Sequence, residues 1–147
     1  MIEKEWNTKA GLPAFVMFVK NSHRCGYVKV TRDHFLFEVD LYELPHFYVH
    51  GGVTFSDFVD DFWNIGFDCA HFGDKAFGHE GVERTLDYCI EECENLAAQI
   101  EELKGTPADY YFRSKKIGKL SEEYHNKMIA FAIENEYYAK KYFDELK

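Results

Sequence analysis

The chain has 147 residues, 46% of them hydrophobic and 18% aromatic, with 17 Lys and Arg against 26 Asp and Glu for a formal charge of -9. That length suits one domain burying roughly two-thirds of its unfolded surface, and that charge repels polymeric nucleic acid and anionic membrane as partners. No apolar run approaches the ~20 residues needed to span a bilayer, and the amino terminus MIEKEWNTKAG lacks a signal pattern, so a cytoplasmic protein is expected. Cys25, Cys69, Cys89 and Cys93 include no CxxC pair, which argues against a structural zinc knuckle, and without a secretory context they do not imply disulfides.

Residues 1–12 are polar and mixed and read as a lead-in loop ending at Gly11-Leu12-Pro13. Ala14 to Val19 is a short aromatic and β-branched run stopped by Asn21 and Ser22, the pattern of a strand. Arg24 to Thr31 is a second strand, hairpinned to the first across KNSH. Asp33 to Leu44 has no clear period, and Pro45 cannot continue a ladder, so this segment is a connection. Phe47 to Phe55 reads as a third strand interrupted at Gly51-Gly52, and Phe62 to Cys69 as a fourth.

From Gly81 the period changes. Val82, Leu86, Cys89, Cys93, Leu96, Ile100 and Leu103 recur at spacings of four and three, the face of one amphipathic helix about 33 Å long, stopped by Gly105 and Pro107. Cys89 and Cys93 then belong to its packed face. RSKKIGK is a polar connector, and Ser121 caps a last helix to Leu146 with the aromatic stripe Tyr124, Met128, Phe131, Tyr138 and Tyr142. The expected architecture is α+β: a small, mostly antiparallel sheet of about four strands packed by one long helix. Residues 1–147 form a single domain in this reading, with an α+β core over 13–104 and a helical extension over 105–147. The extension's stripe suits core packing or a homo-oligomer interface.

Pro45 to Asp74 concentrates the polar chemistry, with His46, His50 and His71, Cys69 and five aspartates in strand-like sequence. In His50-Gly51-Gly52-Val53-Thr54 the glycines can turn backbone N–H groups toward an anion, Thr54 adds a hydroxyl, and His50 can exchange a proton or bind metal. The plainer reading is a strand bend with a locally bonded histidine. Asp68, His71 and Asp74 lie where the fourth strand leaves the sheet, and with His50 they carry ligand types for a divalent cation. Cys69 is either a nucleophile or a small buried side chain, and Cys-x-His spacing does not by itself join thiol to imidazole. Arg24 can fork onto a phosphate or pair with a surface acid, and His34 is a further candidate. His79 and His125 read as surface residues, like His46.

His23-Arg24-Cys25-Gly26-Tyr27-Val28, Val49 to Ser56, Trp63 to His71 with Gly73-Asp74, and Arg84 to Cys93 together resemble a family of small proteins of tailed bacteriophages and prophages. The resemblance covers roughly residues 13–103. The chain departs from it at Asn64, often Trp in the family, and at Phe72, often a small residue, which alters a pocket wall. It implies a setting, counteraction of bacterial defence by acting on nucleotide signals in the host cytoplasm. The resulting expectation is hydrolysis of a small phosphorylated or nucleotide-like ligand. Arg24, His34, Gly51, Gly52 and Thr54 hold the ligand, His50 and His71 serve as base and acid, and Asp68 and Asp74 orient an imidazole or hold a divalent metal. Two alternatives stand beside it: a sponge that sequesters a cyclic nucleotide, and a phage structural or host-protein-binding protein.

Overall fold

A computed structural model describes residues 1–117 together with Asn126, Lys127 and Ala130. The chain divides into two compact units, Met1–Glu102 and Leu103–Lys147. The first unit is α+β. Strands β1 (Ile2–Asn7), β2 (Pro13–Phe18), β3 (Arg24–Val30), β4 (Phe55–Val59) and β5 (Phe62–Asp68) form one antiparallel sheet in the order β1-β2-β3-β5-β4. A helix, α1 (Leu86–Glu102), packs on β2 and β3.

The β2–β3 hairpin and β5 follow the apolar runs. Ala14, Val16, Val28, Val30, Ile65 and Phe67 are buried, and α1 lays Cys89, Cys93, Leu96, Ala97 and Ile100 into the core. Close approach depends on Gly26: a Cβ there would stand 2.5 Å from the Phe67 ring and 2.7 Å from Cys93 Sγ. Any side chain at this point would push the helix off the sheet.

Four expectations from the sequence need correction. Residues 2–7 form a fifth strand rather than a lead-in loop. The sequence IEKEWN hides it because an edge strand carries charge on its open side, and two ties beyond the ladder hold it: the terminal amine donates to the Phe18 carbonyl at 3.0 Å and Trp6 Nε1 to Glu94 Oε1 at 2.9 Å. Phe47 to Thr54 is not a strand. Its backbone is satisfied by side chains of α1 instead, with Gln99 Oε1 accepting from Tyr48 N at 2.8 Å while Asn95 Nδ2 and Gln99 Nε2 donate to the Tyr48 carbonyl at 2.9 and 2.8 Å. Strand pairing on that side of β5 starts only at Phe55.

The helix is also shorter than its apolar stripe. Val82 N–H donates to Gly73 O at 2.8 Å and the Val82 carbonyl accepts from Lys75 N–H at 3.0 Å, which ties residue 82 to a loop. Thr85 Oγ1 then accepts from Tyr88 N–H at 3.1 Å as a cap, and α1 runs for 17 residues.

In the second unit, Gly105 takes φ +78 and its N–H donates to Asp109 Oδ2 at 2.7 Å. Pro107 opens a second helix, α2 (Pro107–Ile117), so part of the expected polar connector is helical. The stripe from Tyr124 to Tyr142, with the homo-oligomer contact assigned to it, lies outside the described residues. Among the described residues no helix is long and apolar enough to cross a membrane.

Candidate functional site

β5 ends at Asp68, and the loop that follows carries Cys69, His71 and Asp74 toward the amino end of α1, where Arg84 and Tyr88 stand. The loop of residues 49–54 reaches the same place. His50, Gly51, Thr54, Asp68, His71 and Asp74 are thereby brought together.

Asp74 is the centre of charge. Its side chain is 1% exposed and both oxygens are occupied: Oδ1 accepts from Arg84 Nε at 2.8 Å, and Oδ2 from His50 Nε2 at 2.7 Å and His71 N–H at 3.1 Å. Burial pushes this carboxyl up, but the His50, Arg84 and His71 donors together outweigh it and hold the pKa down at about 2. An ionised Asp74 can only accept, so His50 carries its proton on Nε2. In the neutral ring Nδ1 then accepts from the Tyr88 hydroxyl, 2.8 Å away. The His50 N–H donates to Glu92 Oε1 at 3.0 Å. Both ring nitrogens of His50 are thus engaged within the protein, and its side chain is 12% exposed.

His71 differs. Its ring lies over Gly51, which adopts φ +67, and a Cβ at that glycine would fall 2.1 Å from His71 Nε2. The glycine makes the seat. Nε2 sits 3.3 Å from Asp68 Oδ1, out of line for a hydrogen bond and shut off from solvent. A proton on Nε2 suits the facing carboxylate, which leaves Nδ1 as the acceptor nitrogen of the neutral ring. Asp68 is itself fixed, its Oδ2 accepting from Thr54 Oγ1 at 2.8 Å and its Oδ1 from Ala70 N–H at 3.0 Å. The two imidazole centroids are 5.9 Å apart.

His71 opens onto a pocket of about 440 Å³ formed by the loop of residues 70–80, with Phe72, Phe77, His79 and Glu80 on its walls. That volume suits a small organic ligand. Phe72 and Phe77 remain largely exposed. Phe77 adopts φ +52, a costly backbone for a bulky residue, with its N–H donating to Ser22 Oγ at 2.8 Å.

Other residues singled out in the sequence sit differently. Arg24 forks onto Glu3, at 2.7 and 3.3 Å, and its Nη1 donates to the Arg84 carbonyl at 3.1 Å. Gly52 donates its N–H to Val49 O at 2.8 Å in a turn, so that donor is turned away from any anion. His34 pairs with Glu101 at 3.0 Å, near the last turn of α1 and roughly 20 Å along the helix from Tyr88. In the set His50, Asp68, His71 and Asp74, the Asp74 oxygens already accept from Arg84, His50 and the His71 N–H. Among the described residues no group of three or more His, Cys, Asp or Glu is placed to hold a metal ion.

The sequence analysis gave no site role to Arg84, Tyr88 and Glu92, which it met only within the Arg84 to Cys93 segment of the resemblance. Tyr88 and Glu92 lie four apart on α1, and that spacing, which stacks them on one side, was the available signal; Arg84 precedes the helix. His79 and Glu80 gave no such signal. Comparison with protein-family models, curated proteins and solved structures gives no match.

Proposed function

We propose that this chain hydrolyses a small nucleotide-like ligand bound in the 70–80 loop pocket, by acid–base chemistry of imidazoles and without a metal held by the four His and Asp residues. The observation that carries this reading is the setting of His71. Its Nε2 edge is fixed between the Gly51 seat and Asp68 while its ring borders the pocket. His71 Nδ1 takes a proton from the attacking water, Asp68 supports the charge that develops on the ring, and His79 on the pocket wall supplies a proton to the leaving oxygen. Among the described residues no Lys or Arg lines the pocket, so this reading gives a phosphoryl oxygen a protonated imidazole as its cation. Exposed Phe72 and Phe77 give a planar base something to stack on.

His50 becomes a positioning residue in this reading, acting through Asp74 on the His71 backbone. The resemblance to phage proteins supplies the biological setting, removal of a nucleotide defence signal in a host cytoplasm. Sequestration of the same ligand is the second reading, favoured by the exposed aromatic walls, which bind without needing an acid or base.

The test is His71→Asn against a panel of cyclic dinucleotides and ordinary nucleotides. Turnover is expected to fall at least 100-fold with the melting temperature within a few degrees of the parent. Unchanged turnover in a folded His71→Asn protein would remove His71 from the chemistry.

A further inference from the structure

Two buried thiols meet behind the site. Cys69, the residue after β5, and Cys89, in the first turn of α1, are 1% and 0% exposed, and their sulfurs stand 3.7 Å apart as free thiols. Neighbours in sequence tie each to the site: Cys69 follows Asp68, and Cys89 follows Tyr88. A narrow cleft of about 10 Å³ reaches Cys69 between Arg24, Lys75, Arg84 and Glu83, with Ser22 and His23 on its rim. Such a volume admits about one molecule of water size.

We propose that Cys69 and Cys89 form a reversible oxidation site, closed to an intramolecular disulfide by hydrogen peroxide and reopened by a dithiol. The cleft is lined by Cys69 and not by Cys89, so the peroxide meets the Cys69 sulfur, and Cys89, 3.7 Å behind it, is the thiol that resolves it. Cys69 sulfur, giving up its proton, attacks one peroxide oxygen and the O–O bond breaks, giving a sulfenic acid and hydroxide, which takes up that proton to become water. Cys89 sulfur then attacks Cys69 sulfur, the S–O bond breaks, and a second water leaves with the Cys89 proton. Two thiols lose two electrons and two protons, and one peroxide becomes two waters. Closure needs the sulfurs to move from 3.7 Å to about 2.0 Å, a step short enough for the end of β5 and the first turn of α1 to absorb. This site stands independently of the hydrolytic reading.

The experiment exposes the reduced full chain to hydrogen peroxide, traps remaining thiols with iodoacetamide in denaturant, and maps peptides without reduction. A bridge between Cys69 and Cys89 is expected, with two hydrogens lost, reversed by dithiothreitol, kept in Cys93→Ser and lost in Cys89→Ser. Four alkylated thiols after treatment, or a bridge that uses Cys25 or Cys93 instead, would overturn the assignment. Should Cys89→Ser fail to fold, fragmentation of the wild-type bridged peptide identifies the partner by itself.

Discussion

Gly51 shows how much of the site hangs on one missing side chain. Its positive φ already disfavours an L-residue, and the space a Cβ would take belongs to the His71 ring. Gly51→Ala is therefore expected to destabilise the fold by about 2–4 kcal/mol, combining left-handed strain with displacement of the ring. Gly52 has φ +79 but nothing within 4 Å of its Cβ position, so Gly52→Ala should cost only about 1 kcal/mol. Urea unfolding of the two variants measures the difference, and equal losses would show that His71 does not rest on Gly51. In the sequence the glycine pair stood out, but its purpose did not. Backbone donors toward an anion and room for a ring twenty positions on look identical until the fold places His71.

At the scale of elements, Asp74 is the joint: its carboxylate ties its own loop to the 49–54 loop through His50 and to the approach of α1 through Arg84. The folded value of about 2 lies below the ordinary 3.8, so folding favours the ionised form. The stabilisation, on the order of 2 kcal/mol, is complete above pH 4 and disappears as the pH falls toward 2. Acid unfolding followed by circular dichroism should show Asp74→Asn less stable than the parent at pH 6 and much closer to it at pH 2. A constant gap across that range would assign the loss to something other than the carboxylate charge. The elements were unequally legible in the sequence. β2, β3 and β5 announce themselves because buried strands need continuous apolar and β-branched residues. β1 did not, since an edge strand is free to be polar, and residues 47–54 misled because Phe47 and Val49 have strand character while α1 side chains supply the backbone partners. The helix stripe read correctly as a face but not as a boundary, because Val82 continues the period while its backbone is bonded to the 73–75 loop.

For the molecule as a whole, the proposed small partner rests on the formal charge of -9 and on the pocket. In the proposed reading a pocket of about 440 Å³, walled by Phe72, Phe77, His71 and His79, holds a small ligand with planar rings. The stretch from Pro45 to Asp74 drew attention in the sequence because its histidines and aspartates are dense. The residues that complete their network, Tyr88 and Glu92 on α1 and Arg84 just before it, come from a segment whose approach no local pattern reveals. The measurement that bears most directly on the account incubates the reduced wild-type chain, well below stoichiometric amounts, with cyclic dinucleotides and ordinary nucleotides in the presence of a chelator, then denatures it and chromatographs the mixture. New product peaks that grow with time are the expected result. A ligand that stabilises the protein against heat yet is recovered intact would contradict hydrolysis and assign the pocket to sequestration, and neither stabilisation nor product across the panel would contradict the nucleotide reading altogether.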